Sequence, residues 1–430
     1  GMHQGPGGDE ENRQGFDFLP SEIDCLILTH AHIDHSGLIP LLVKRGFEGK
    51  IICTPATAEL LIIMLKDSAH IQEKDAEWLN KLEMRAGREP LLKPLYTVED
   101  VYEVTKHLNV IHYDKIEHLS KDVKIRLLDA GHILGSASIE IWYKDSEREK
   151  KIVFSGDIGR LNNPIVKDPK TIKEADVVVI ESTYGNRLHK DMESSIREFV
   201  DVIQNTFKRG GNVFIPSFAV GRTQDILYIL YKLEMQGLLP PHKVFVDSPL
   251  AEEATTVYLK HMDCFDEEAL EMFGRDKDIF NRFRFTTTVE ASQEINKIRS
   301  GAIVIAGSGM CEGGRIRHHL KHNLWRKECS IVFVGYQVVG TLGRRIIDGA
   351  KTVKILGNEV AVKASVHTIG GFSAHADRDG LTDWLRAING SPLVYVVHGE
   401  ESVSNNFALS IKNGLGLDAV VPDKGFTAIH

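Results

Sequence analysis

The chain has 430 residues, too many for one ordinary hydrophobic core, so two domains are the expectation. Apolar residues make up 42% and charged residues 26%, the composition of a soluble globular protein, and no apolar run is long enough to span a membrane. With 60 Asp and Glu against 52 Lys and Arg, the net charge of −8 excludes binding to a polyanion by overall charge and leaves only local basic patches for that purpose.

The opening Gly1-Met2-His3-Gln4-Gly5-Pro6-Gly7-Gly8 has neither the basic nor the apolar region of a signal peptide. The apolar run Cys25-Leu26-Ile27-Leu28-Thr29 predicts a strand, and it delivers His30-Ala31-His32-Ile33-Asp34-His35. Gly37 and the apolar run 38–43 predict a helix after it. The chain holds 19 His in all, and three of them stand with a carboxylate in this one short stretch. A chance run of polar surface residues is the competing explanation, but zinc takes neutral imidazole nitrogens and carboxylate oxygens, usually with three or four protein ligands. One loop that offers four donors can therefore begin two adjacent metal sites. Between a strand and a helix, it lies at a sheet edge where substrate has access.

Thr54 as N-cap and Pro55 as first helical residue predict a helix over 55–65, and another is predicted over 97–108. Segments 123–128 and 137–142 alternate apolar with polar residues, whereas 152–155 and 177–180 are short runs rich in β-branched residues; all four read as strands. From 192 onward the rhythm is helix 192–208, strand 213–216, helix 223–235 and strand 244–247, followed by strands 302–306 and 330–335. That order predicts a parallel sheet with connecting helices. The acidic and aromatic stretch 263–285 is expected to be a surface excursion. Basic clusters stand at Arg282-Phe283-Arg284-Phe285, at Arg315 to His322 and at Arg344-Arg345, each equally readable as a solvated face. A strand over 392–397 delivers His398-Gly399-Glu400 ahead of a helix over 402–413. Cys25, Cys53, Cys264, Cys311 and Cys329 form an odd set without a Cys-x-x-Cys pair, which predicts reduced thiols in a cytoplasmic protein.

Four more polar residues stand at the ends of apolar runs: His132, Asp157, Glu181 and His398. Ends of strands from one sheet share an edge, so these side chains can converge on the histidine loop. Each alone reads as well as a hydrogen-bonded structural residue. Together they supply what the loop lacks for two complete metal sites.

On these residues the chain resembles the metallo-β-lactamase superfamily and, within it, the β-CASP branch of RNA-processing nucleases. His30-x-His32-x-Asp34-His35, His132 and Asp157 are similar to the superfamily's successive metal motifs. Glu181-Ser182-Thr183-Tyr184-Gly185, Phe372-Ser373-Ala374-His375-Ala376-Asp377 and Val397-His398-Gly399-Glu400 are similar to the three further β-CASP motifs, so the resemblance covers nearly the whole chain. It implies an α/β protein, a metallo-β-lactamase αββα sandwich with an inserted α/β β-CASP domain, divided here as 1–186, 187–372 and 373–430. It implies two zinc ions, one held by His30, His32 and His132 and the other by Asp34, His35 and His398, with Asp157 bridging; such a pair activates a shared water and neutralises charge on a phosphodiester. Asp34 thus counts among the catalytic residues as well as the ligands. His375 is the implied general acid, with Glu181 orienting its imidazole and favouring its charged form.

The implied substrate is single-stranded RNA lying in a groove between the domains, cut internally or trimmed from its 5′ end, with a homodimer as the implied assembly. Two strand-to-helix turns would line that groove, Ser217-Phe218-Ala219-Val220-Gly221-Arg222 and Gly307-Ser308-Gly309-Met310-Cys311-Glu312-Gly313-Gly314-Arg315. Ser217, Arg222, Ser308, Gly309 and Arg315 are the candidate contacts, through backbone N–H groups that can hold phosphate. Tight domain packing is the other explanation of such turns.

Two other enzymes would use the same metals. A lactamase-like hydrolase of small molecules has no use for an insertion of about 185 residues, a whole domain's length, between Gly185 and Phe372. A DNA nuclease of the same branch is disfavoured by His398, where the DNA-directed members resemble one another in having an apolar residue. A non-enzymatic scaffold would be expected to have lost ligands. Gly1-Met2-His3-Gln4-Gly5 is similar to the tail of the Asp-containing turn that ends the superfamily's first strands, so those strands are expected to lie outside this chain.

Overall fold

The strand that leads to the histidine loop, Cys25–Ile27, pairs in parallel with Lys50–Cys53, which pairs in parallel with Leu108–Val110. The computed structural model describes residues 1–3, 7–89, 92–144, 148–276 and 278–428; Gln4 and Gly5 of the opening turn lie outside the described residues. A second sheet has seven strands in the order Ala419–Val420, Leu393–Val396, Val177–Ile180, Glu149–Phe154, Ala137–Lys144, Val123–Asp129 and Ile116–His118.

Alternation along the strands builds the layers. Ile125 and Leu127 meet Ile52, Ile111, Ala137 and Ile139 in a core between the two sheets. On the opposite face Leu128 joins Val178, Ile180 and Val396 beneath Leu381, Trp384, Phe407 and Ile411 of helices Arg378–Arg386 and Glu401–Leu415. Ile51 and Cys53, neighbours of Ile52, turn the other way toward Leu41, Leu61, Leu65 and Val101 of helices Ile39–Lys44, Pro55–Arg85 and Val98–Val104. Helix, sheet, sheet and helix follow in order, as the αββα expectation requires.

Between Val177–Ile180 and Leu393–Val396, which lie side by side in parallel, the chain makes a separate sheet. Its order is Arg284–Phe285, Lys243–Asp247, Ala302–Ala306, Val213–Pro216, Ser330–Phe333 and Ser365–Thr368, every pairing parallel. All residues of Val213–Pro216 and Ala302–Ala306 are buried, as in a parallel sheet covered on both faces. Phe214, Val304 and Phe333 pack with Ile316, Leu320 and Ile346, whereas Val213, Ile215, Ile303 and Ile305 belong with Ile226, Leu227, Val257 and Tyr258.

Three sequence expectations need correction. The helix predicted over 55–65 runs Pro55–Arg85, capped by Thr54 Oγ1, which accepts from Thr57 N at 3.2 Å. Its second half is polar and largely exposed, but it contains good helix formers and neither Gly nor Pro before Gly87, so propensity carries it past the end of the apolar run. The helix predicted over 97–108 is Val98–Val104 followed by a tighter turn, Thr105–His107. The stretch 263–285 is not a surface excursion: Phe265, Ala269, Phe273, Ile279, Phe280 and Phe283 are buried in the core, and helix Glu267–Arg275 turns its acidic side outward. Composition hid an amphipathic period there. Among the described residues no helix is long and apolar enough to cross a membrane, and all five cysteines are free.

Candidate metal centre

Strands Val123–Asp129, Glu149–Phe154, Val177–Ile180 and Leu393–Val396 run in one direction, so His132, Asp157, Glu181 and His398, which follow them, emerge at a common edge. The loop after Cys25–Ile27 meets them there. His30 Nε2 lies 3.1 Å from His32 Nδ1, and His132 Nε2 lies 3.2 Å from the same Nδ1. Asp157 Oδ2 is 3.4 Å from His30 Nε2 and 3.6 Å from His132 Nε2. That oxygen also stands 3.3 Å from His35 Nε2, which begins a second group. In it His35 Nε2 is 3.1 Å from His398 Nε2, and Asp34 Oδ2 is 3.3 Å from His398 Nε2 and 3.7 Å from His35 Nε2.

These spacings fit a metal. Four donors about 2.0–2.1 Å from a tetrahedral ion stand about 3.3 Å from one another, which is the range seen in both groups. The donor chemistry fits as well. Burial, with the neighbouring imidazoles, lowers the pKa of His30 and His132 and takes His32 down to about 3, so these rings are neutral and have lone pairs to give. Asp34 and Asp157 stay below the usual carboxylate range: burial opposes their charge, and the surrounding imidazoles outweigh it. Asp157 Oδ1 is buried without a hydrogen-bond partner. His398 is pushed up to about 10, because Asp157, Asp34 and Glu181 outweigh its burial, and a field that draws a proton so strongly also draws a cation.

Local structure sets each donor. His398 has φ 51°, a conformation few residues other than glycine adopt. It is held by Ser182, whose N–H donates to His398 O at 3.2 Å and whose Oγ donates to Val397 O at 2.8 Å. Thr183 Oγ1 stands 3.3 Å from His398 Nδ1. Glu181, buried one residue past its strand, accepts from Ile158 N at 2.7 Å and from Thr183 N at 3.3 Å. Its two oxygens face His375 Nδ1 at 3.1 and 3.2 Å. A carboxylate only accepts, so Nδ1 carries hydrogen. Burial works against a charge on His375, but the charge and hydrogen bond of Glu181, with Asp157 behind them, raise its pKa above the usual imidazole value. The His375 ring centroid lies 4.4 Å from that of His132, beside the first donor group.

Known proteins resemble this chain over most of its length. Residues 5–205 match the family described as "Metallo-beta-lactamase superfamily", 223–346 the "Beta-Casp domain" and 359–422 the "Zn-dependent metallo-hydrolase RNA specificity domain". Ribonuclease TTHA0252 of Thermus thermophilus is 38% identical over 403 residues, 93% of this chain and 86% of that protein. This chain belongs to the β-CASP family of the metallo-β-lactamase superfamily. An RNase J-like protein of Methanocaldococcus jannaschii is 31% identical across 94% of this chain and 88% of its own length. The transcription termination factor FttA of Methanosarcina mazei is 30% identical over 96% of this chain, which spans 64% of that longer protein. A crystal structure of an Enterococcus faecalis protein of unknown function shares the fold, with a TM-score of 0.51, 13% identity, and coverage of 96% of this chain and 84% of that one.

In this β-CASP chain the five expected RNA contacts lie in the inserted unit and differ in what they touch. Ser217 is buried and its Oγ is 3.1 Å from Thr223 Oγ1. Arg222 is buried, with Nη1 3.5 Å from Asp225 Oδ2; burial pushes the Asp225 carboxyl up to about 6 against the pull of Arg222. Ser308 Oγ accepts from Gly313 N at 3.1 Å, and Gly309 packs beneath Phe218. Arg315 is not free for substrate: Nη1 donates to Asp247 Oδ1 at 2.7 Å and to Thr286 O at 2.8 Å. Of the basic clusters, Arg282 pairs with Asp276 at 2.8 Å and Arg344 with Asp348 at 2.9 Å.

Sequence reasoning passed over His189 and Tyr336, and quoted Thr183 only as part of its motif. His189 Nε2 lies 3.0 Å from His375 O, and Tyr336 reaches from the inserted unit to donate to Glu400 Oε1 beside the metal centre. The only sequence signal for Tyr336 is its position just past an apolar strand.

Proposed function

We propose that this chain is a zinc-dependent ribonuclease that hydrolyses phosphodiester bonds of single-stranded RNA in the cytoplasm. One zinc is assigned to His30, His32 and His132, the other to Asp34, His35 and His398, with Asp157 between them. When bound, two such ions activate water and neutralise charge developing on the phosphodiester. The chain's own part is to hold seven donors in register and to supply a proton. Glu181 orients His375 through Nδ1 and favours its charged form, which suits His375 to protonate the leaving ribose oxygen. The turns at 217–222 and 307–315 are assigned to the wall of the RNA groove, with Arg315 as an anchor of that wall and not as a contact. The division at residues 187 and 372 is proposed as the border of the inserted domain.

The observation that carries this reading is the spacing of the donor atoms, 3.1 to 3.7 Å between neighbouring donors in two groups joined at Asp157. The names of the Thermus and Methanocaldococcus relatives support RNA as the substrate. The test is digestion of matched end-labelled RNA and DNA strands by zinc-loaded protein, with and without chelator. RNA should be cut and chelator should stop it; zinc-loaded protein that leaves RNA whole overturns the proposal.

A further inference from the structure

One aromatic ring near the metal centre is exposed on a backbone that is clamped. Phe218 is 38% exposed, although Ser217 before it and Val220 after it are buried, and its side chain joins none of the core clusters among the described residues. Its carbonyl accepts from Thr223 Oγ1 at 2.7 Å. The turn it sits on is pressed against the loop that carries His132, since a Cβ on Gly221 would come 2.7 Å from Ile133 Cγ2, and Ile133 follows His132. Three residues of extended chain span at most about 11 Å, so the backbone of Phe218 stays within that distance of Gly221.

Gly309 explains how the ring is seated. A Cβ at that position would lie 2.8 Å from Phe218 Cδ2, 2.8 Å from Cε2 and 3.2 Å from Cγ. An atom in the ring plane at equal distance from Cδ2 and Cε2 would stand much farther from Cγ, so Gly309 lies over the ring face. Any larger residue would strike the ring. Gly309 is itself tied down, its carbonyl accepting from Gln337 Nε2 at 3.0 Å. One face of Phe218 is thus backed by fixed main chain, and the exposed part of the ring belongs to the other face and rim.

We propose that the open face of Phe218 is a stacking platform for one nucleobase of the RNA beside the phosphate that is cut, which rests on the ribonuclease reading above. Every base has a π-face, so such a platform holds RNA without reading its sequence, and a ring fixed before binding loses little freedom when the base arrives. Gly309 then acts on RNA through Phe218 and not by touching phosphate.

The test walks a single abasic nucleotide through the cut site of an RNA oligonucleotide and measures kcat/KM with zinc-loaded enzyme. At one position next to the cut, loss of the base should lower kcat/KM of the unaltered protein by roughly 5- to 150-fold, the range of one lost aromatic stack. Phe218→Leu should lose a similar factor on intact RNA and become indifferent to the abasic nucleotide there, while Phe218→Trp should keep the dependence. The walk on the unaltered protein needs no variant, so misfolding of Phe218→Leu would not rescue the idea. A flat abasic profile, or Phe218→Leu with the profile of the unaltered protein, overturns the platform while cleavage itself upholds the ribonuclease. Zinc-loaded protein that cleaves neither RNA nor bis(p-nitrophenyl) phosphate removes both.

Discussion

Two clusters of histidine and aspartate among the described residues, at Asp157 and at Asp247, are built oppositely. At Asp247, at the end of its strand in the inserted sheet, every contact joins a donor to an acceptor: Oδ1 accepts from Thr286 Oγ1 at 2.5 Å and Arg315 Nη1 at 2.7 Å, and Oδ2 from Ser292 Oγ at 2.6 Å and His319 Nε2 at 2.7 Å. At Asp157 imidazole nitrogens face one another at 3.1 and 3.2 Å, and one carboxylate oxygen is buried with no hydrogen bond, its nearest imidazole nitrogen being His398 Nδ1 at 3.4 Å. A satisfied cluster stabilises the fold, whereas a cluster of converging lone pairs stabilises it only when a cation sits among them. Residue types alone therefore do not identify a metal site; the pairing of donors with acceptors does.

The sharpest way to break this contrast is to remove one aspartate from each cluster. Asp157→Ala should lose bound zinc by elemental analysis and should reduce RNA cleavage by more than the roughly 100-fold that losing a supporting hydrogen bond to a ligand costs. His375→Ala should reduce cleavage by roughly 10²–10⁴-fold with zinc content unchanged, because it removes the proposed proton donor and leaves the proposed ligands in place. An Asp157 variant with full zinc would dissolve the distinction between the clusters. A His375 variant with full activity would remove the acid assignment.

Asp247→Ala should do the reverse. It takes the carboxylate partner from the Arg315 guanidinium and the acceptor from the buried His319 Nε2, and breaking a buried pair in this way costs about 3–5 kcal/mol. Denaturant unfolding of the metal-loaded protein measures that loss, and zinc per folded molecule should be unaltered. Stability within about 0.5 kcal/mol of the parent would show that the Asp247 network does not hold the inserted domain.

The contrast also marks what could be read from sequence. Four of the candidate metal donors announce themselves because they crowd into one loop, and the others because they follow short strands with apolar runs, such as Glu149–Phe154 and Leu393–Val396. Asp247 and His319 are 72 residues apart and each looks ordinary, so their meeting was invisible. Arg315 shows the same limit from the other side: its charge pointed to RNA, but a charge in a sequence does not name its partner, and the partner is Asp247. Phe218 was legible only as part of a turn, because exposure depends on packing that no local pattern encodes.

The smallest expected effect is the response of the Asp247 cluster to acid, and its sign follows from the shift. Burial would raise the Asp247 pKa, but hydrogen bonds from His319, Ser292, Thr286 and Arg315 outweigh it and hold the carboxyl well below its usual range. Between the folded value and the ordinary value near about 4, the unfolded chain binds more protons than the folded one, so stability falls as pH falls. The contribution of Asp247 is complete above that ordinary value and is lost progressively below it. The loss should be gentler than that of Asp247→Ala, since a protonated carboxyl still fills its space and keeps an acceptor oxygen. Unfolding free energies of chelator-treated parent and Asp247→Asn should therefore converge as pH is lowered through the carboxylate range. A constant gap between the two curves would mean that the carboxylate charge has no part in holding the inserted domain together.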